Sequence, residues 1–191
     1  YFTEQALATL IWQNQTLCKS FATTRHSHSI HTHFDNNLNQ TLLLILSAHK
    51  KIKLSSLCYL LYKASINITE ASFFKLPDDR MLYQFSITNL SYHPLQTTQE
   101  LLWLEHHIET QLMQHKIYYT PAKSNTFTSD KSAAKRLKRS VQLLSPRHKN
   151  YSKVIVKYPD RPGLLAALCY FFEMHDLHII RARIHTSSLS I

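Results

Sequence analysis

Displaced by 111 positions, the chain lies on itself without a gap. The segment "LLILSAHKKIKLSSLCYLLYKASINITEASFFK" (residues 43–75) falls on "VIVKYPDRPGLLAALCYFFEMHDLHIIRARIHT" (154–186). Identities occur at Leu54/Leu165, Leu57/Leu168, Cys58/Cys169, Tyr59/Tyr170, Ile68/Ile179 and Ala71/Ala182, six of 33 positions. The hydrophobic pattern agrees along the whole length. An internal repeat limits the possible folds more than any composition does, because two segments must satisfy one backbone plan.

Each copy reads as strand, helix, strand. Residues 42–46 ("LLLIL") and 154–158 are short apolar runs suited to a buried strand. Apolar residues then recur by threes and fours, at 54, 57, 58, 60 and 61 in one copy and at 164, 165, 168, 169, 171 and 172 in the other, which predicts a helix. "INITEASFF" and "LHIIRARIH" follow as alternating strands with one covered face. The first copy continues through the turn residues "LPDDR" (76–80) to a third strand at 81–90. A helix at 97–115 follows, capped by a Thr, with Leu101, Leu104, Ile108, Leu112 and Met113 on one face.

Residues 139–145 are a candidate for the fourth strand of the first copy, which would complete βαββαβ; the second copy reaches Ile191 after its second strand. The expected fold class is therefore α+β, with ferredoxin-like domains in tandem and the second one incomplete. The expected organisation is a helix (2–21) and polar connector over 1–40, a first domain at 41–120, a basic linker at 121–150 and a second domain at 151–191. Thr3 would cap the first helix, with Phe2 and Leu7 as a hydrophobic staple.

Composition excludes several functions. Gly163 is the single glycine in 191 residues, so a Walker A loop, a GxGxxG turn and a GxSxG elbow are all ruled out. The longest apolar run is far short of the roughly 20 residues that span a bilayer, so no membrane role is expected. Cys18, Cys58 and Cys169 are odd in number and widely spaced, as suits reduced thiols in a cytoplasm. The chain opens at Tyr1 without the basic-then-apolar layout of a signal peptide, and reads as a piece of something longer.

The net charge of +10 concentrates in 131–149, where Lys131, Lys135, Arg136, Lys138, Arg139, Arg147 and Lys149 stand with no acid. Few aromatics interleave with them, so a solvated linker is expected rather than a nucleic-acid grip. His26, His28, His31 and His33 point to opposite sides of an extended chain and do not converge on a metal, so 25–33 reads as a polar connector. His175–Asp176 falls in a turn rather than in a hydrolase site, and Glu105, His106, His107 and Glu109 lack HExxH spacing.

The candidate site is "DRPGLL". Pro162 suits helix entry, and Gly163 lets the backbone turn tightly and leaves room beside it. Free amides at the helix start would favour a carboxylate, and Asp160 could receive an ammonium group, which together describe an amino acid. "DRPGLLAAL…LHIIRARIHT" resembles the ACT domain, a small βαββαβ module that binds amino acids and regulates the protein carrying it. Two such modules, a basic spacer and a "YFTEQ…" helix are similar to the C-terminal end of the bifunctional PII uridylyltransferase/uridylyl-removing family.

The resemblance implies ligand contacts at Asp160, Arg161, Pro162, Gly163 and Leu164, no catalytic residue and no cofactor in this region. It also implies a magnesium-requiring nucleotidyltransferase and an HD hydrolase elsewhere in the parent. Implied partners are glutamine or another amino acid, the parent's catalytic domains and the PII signal protein. The first copy departs from the motif, with His49 at the Asp160 position and Ile52 at that of Gly163, and is expected to be structural. Other readings stay open: the ACT tail of a (p)ppGpp synthetase/hydrolase or of an amino-acid biosynthetic enzyme, a basic nucleic-acid-binding or scaffold fragment, or a truncated or frameshifted product.

Overall fold

β2 (Gln40–Ser47) is the strand around which the sheet is built, because it is buried on both faces. The computed structural model describes residues 11–19, 28–36, 38–47, 52–76, 78–114, 119, 139–145, 151–158, 163–179 and 181–183. On one face of β2, Leu43 and Ile45 join Phe85 and Ile87 of β4 (Met81–Asn89) and Ala71 and Phe73 of β3 (Ile66–Lys75). Helix α2 (Leu54–Lys63) adds Leu57 and Leu61, and α3 (Thr98–Met113) adds Leu104, Ile108 and Leu112.

The other face of β2 buries Leu42, Leu44 and Leu46. There His33, cross-strand from Leu42, stacks on Trp12 of helix α1 (residues 11–19) at 4.7 Å. Two covered faces account for five consecutive apolar residues where a one-sided strand would alternate.

The sheet has five strands in the order β1-β2-β4-β3-β7, with β1 at Ser29–Asp35 and β7 at Arg181–Arg183, and every neighbouring pair is antiparallel. β2 and β3 therefore run parallel, flank β4 and are joined by α2, which is the split βαβ unit of ferredoxin-like folds. α3 opens with a capping box: Thr97 Oγ1 accepts from the Glu100 backbone N–H, and the Glu100 carboxylate accepts from the Thr97 N–H. Met113 does not share the buried face of α3 as expected. It is 63 % exposed, one residue past Leu112, where the helix ends.

The fourth position of the first sheet is not held by 139–145. β1 takes it, so the histidine tract beyond Ser29 is an edge strand and not a connector. Its outer edge is guarded by α3: the Thr32 backbone N–H and hydroxyl both donate to the Glu105 carboxylate. β5 (Ser140–Leu144) instead pairs with β6 (Lys153–Lys157) in a separate two-stranded sheet. The repeat thus begins earlier than the sequence comparison placed it. Shifted by 111, the pair Ser29↔Leu46 becomes Ser140↔Lys157, and Ile30↔Ile45 becomes Val141↔Val156.

Helix α4 (Leu164–Met174) matches α2 in the same way. Each of these helices is followed by a non-glycine residue in the left-handed region, Ser65 at φ 60° and its counterpart Asp176 at φ 54°. His175–Asp176 accordingly lies in a turn. Among the described residues no helix is long and apolar enough to cross a membrane. Residues 1–10, with the Thr3 cap and the Phe2/Leu7 staple, lie outside the described residues, as do all the basic residues of 131–149 except Arg139.

Two outcomes follow from this packing. Leu43→Ala, at a fully buried site, should cost about 2–5 kcal/mol in denaturant unfolding, whereas Val154→Ala at its 40 % exposed counterpart should cost less than about 1 kcal/mol. The second concerns His31, whose pKa is lowered by burial against an opposing pull from Glu105. The unfolded chain then binds more protons below the ordinary histidine value of about 6.5, so this contribution is whole above that pH and is lost as pH falls toward the folded value. His31→Gln should lose less stability than the parent chain between about pH 7.5 and 5.5 in the same unfolding measurement.

Candidate functional site

The two repeats meet along a seam centred on a residue that faces its own counterpart. β3 and β7 are antiparallel with Ala71 opposite Ala182, flanked by Glu70↔Arg183 and Ser72↔Arg181. A step forward in one repeat is therefore a step back in the other, the signature of an approximate two-fold axis. The helices obey the same axis. α2 packs on α4, and the buried thiol of Cys58 lies beside that of Cys169. Above them the ring of Tyr119 lies between the counterparts Tyr59 and Tyr170, with centroid separations of 5.3 and 5.2 Å.

The axis carries the N-terminus of each helix to the far end of the other. No side chain of its own caps α2: its N-cap is Lys53 and its first turn holds no acid. Glu173, near the end of α4, supplies the carboxylate. It accepts from the Ser55 backbone N–H at 2.9 Å and from the Ser55 hydroxyl at 2.6 Å. Amides left unpaired at a helix start, with the positive end of the dipole, stabilise such an anion. Beneath this contact the Tyr83 hydroxyl donates to the Ile52 carbonyl at 2.6 Å, and burial, followed by the Glu173 charge, raises its pKa.

The counterpart of Glu173 is Tyr62, and the counterpart of Ile52 is Gly163. At the start of α4, Gly163 is the N-cap with φ 76° and ψ 3°, in the left-handed region that favours glycine. A Cβ built there would lie 3.4 Å from the Tyr62 ring. The lone glycine therefore serves a backbone conformation, since a Cβ there would make ordinary van der Waals contact with the ring. α4 has neither a side-chain cap nor an acid in its first turn, and Leu164 is its first residue. Asp160, Arg161 and Pro162 lie outside the described residues.

The structure thus presents two related helix mouths, one filled by a carboxylate of the chain and one bordered by a phenol ring. Tyr62, Ser55 and Glu173 were not among the residues singled out from the sequence. The offset of 111 would have found them only together with the direction of the axis. Burial, first of all, and then the Cys169 thiol push the Cys58 thiol well above its ordinary value, as suits a packing group.

Of the histidine tract, His31 and His33 sit in β1, and His26 lies outside the described residues. Arg139 of the basic stretch lies over the Tyr158 ring at 5.0 Å. Among the described residues no three His, Cys, Asp or Glu side chains converge as metal ligands. Comparison of the chain with protein-family models, with curated proteins and with solved structures finds no match in any of the three.

Ser55→Ala and Glu173→Gln should each destabilise the chain by about 1–2 kcal/mol, with a double-mutant cycle showing that most of the loss is shared. Gly163→Ala should cost about 1–2 kcal/mol through its positive φ, and Tyr62→Ala should not rescue it, because the strain is in the backbone. Urea unfolding of the variants checks all of these.

Proposed function

We propose that the chain is a regulatory, amino-acid-sensing region: a tandem ACT pair belonging to a PII uridylyltransferase/uridylyl-removing enzyme, with glutamine as ligand, acting in the cytoplasm. The observation that carries the reading is the two-fold seam, which sets the uncapped, glycine-led mouth of α4 against the other repeat. A ligand held there touches both repeats at once, so its binding free energy differs between arrangements of the pair. Such a difference is the physical requirement for control of an attached domain.

In this reading the carboxylate of the amino acid rests on the α4 amides as Glu173 rests on those of α2, and Asp160 receives the ammonium group. The first mouth is closed by Glu173 and contributes stability rather than ligand binding. The catalytic domains of the parent, the magnesium they require and the PII protein are partners on the far side of this switch. The reduced, buried Cys58 and Cys169 suit a cytoplasmic setting.

Calorimetric titration of the 191-residue chain with L-glutamine should give one site per chain, weakened at least about tenfold by Gly163→Val, with circular dichroism confirming the fold of the variant. Absence of heat with glutamine and with every other proteinogenic amino acid would sink the reading. At the level of the enzyme, removal of residues 41–191 should abolish the response of PII uridylylation to glutamine. An unchanged response would remove the assignment to that parent.

A further inference from the structure

α4 packs on α2, and its fully buried side chains among the described residues are Ala166 and Cys169, the counterparts of Ser55 and Cys58. All four side chains are small, and none is more than 2 % exposed. Small side chains let two helices approach closely, and counterpart residues beside a two-fold axis are directed at one another. Separate observations bring the two sulfurs together on that axis. The Cys58 thiol lies beside the Cys169 thiol. The next residues along each helix, Tyr59 and Tyr170, both touch the single ring of Tyr119. In the strands Ala71 faces Ala182. The third cysteine, Cys18, is exposed and belongs to neither helix.

We propose that Cys58 and Cys169 form a redox site across the seam, joined as an intramolecular disulfide by a small-molecule disulfide of the glutathione class and released by the corresponding thiol. The inference is independent of the amino-acid ligand. One cysteine, as thiolate, attacks a sulfur of the small disulfide, which forms a mixed disulfide and expels one small thiol. The other cysteine then attacks the protein sulfur of that mixed disulfide and expels the second small thiol. The two cysteines lose two electrons and two protons, and the small disulfide gains both pairs as it becomes two thiols.

Both thiols are enclosed, and burial raises the Cys58 pKa, so exchange proceeds through a local parting of α2 from α4. The bond closes as the helices repack. In the unfolded chain the two sulfurs are 111 residues apart, and joining them there removes loop entropy. In the folded chain that entropy is already lost. The fold therefore stabilises the bond to the extent that the bond stabilises the fold. Once oxidised, α2 and α4 are held together and the arrangement of the repeats is fixed. Once reduced, the two helices are free to shift against each other.

The test equilibrates the 191-residue chain carrying Cys18→Ser with reduced and oxidised glutathione, in native buffer and in denaturing urea, and reads the acid-quenched products by mass spectrometry. In native buffer the chain should lose two hydrogens without a glutathione adduct, and peptide mapping should find Cys58 joined to Cys169. The equilibrium constant for the bond should be at least about tenfold larger in native buffer than in urea. The oxidised chain should unfold at a higher urea concentration and exchange amide hydrogens more slowly in α2 and α4, with dithiothreitol reversing both changes.

A constant in native buffer no larger than that in urea would overturn the proposal. So would a glutathione adduct in place of the bond, absence of the bond at every glutathione ratio, or an oxidised chain no more stable than the reduced one.

Discussion

The seam between counterpart residues is the constraint on which the rest of the structure depends. Ala71 opposite Ala182 and Cys58 against Cys169 fix one axis, and that axis decides which helix end meets which. Small side chains at these positions are a physical requirement, since a residue on or near a two-fold axis meets its own equivalent and needs twice the room it would need elsewhere. Alanine in the strands is fully buried at 71, and the thiols at 58 and 169 are both buried. A larger side chain at 58 or 169 would have to find room against its counterpart in a buried layer.

Symmetry also explains why the two helix mouths differ. In an exact repeat both would be capped by the same residue of the opposite copy, but position 62 is tyrosine and position 173 is glutamate. The carboxylate bonds Ser55 across the seam, whereas the phenol ring only borders Gly163. Gly163 faces the Tyr62 ring, and Glu173 faces Ser55 beside Ile52. This leaves a different electrostatic demand at each end. An anion is already present at α2, while α4 has its dipole uncompensated by its own first turn.

Much of the architecture was legible in the sequence because it rests on local periodicity. The alternation of 66–74, the three-and-four spacing of 54–61 and 164–172, and the caps and apolar stripe of 97–112 each express one burial pattern within one segment. What the sequence concealed was decided by contacts far apart in the chain. "SIHTHFD" has too little apolar contrast to announce a strand; it becomes β1 because β2 needs a second neighbour and because Glu105, more than seventy residues away, receives its outward N–H.

The same holds for 139–145, whose apolar residues suit a strand in either sheet, so that only the register shared with β1 and β2 assigns it to the second repeat. Glu173 looked like a surface residue near a helix end, and its role depends wholly on the opposite repeat. Of the predicted site, Gly163 and Leu164 stand at the helix start as expected, and Asp160, Arg161 and Pro162 lie outside the described residues.

A further difference between the repeats is where their apolar surface goes. β2 is flanked on both sides and covered on both faces, so its five consecutive apolar residues all reach the interior. β6 is paired with β5 alone among the described residues, carries three consecutive apolar residues between two lysines, and leaves Val154 40 % exposed. An isolated two-stranded ribbon is marginal in water. α4 packs on α2, and Ala166 and Cys169 are its fully buried side chains among the described residues. The helix of the second repeat is held across the seam, so any molecule that tightens or loosens α2 against α4 acts on it directly. The first repeat, holding nearly all of the core, supplies the fixed frame against which such a shift is felt.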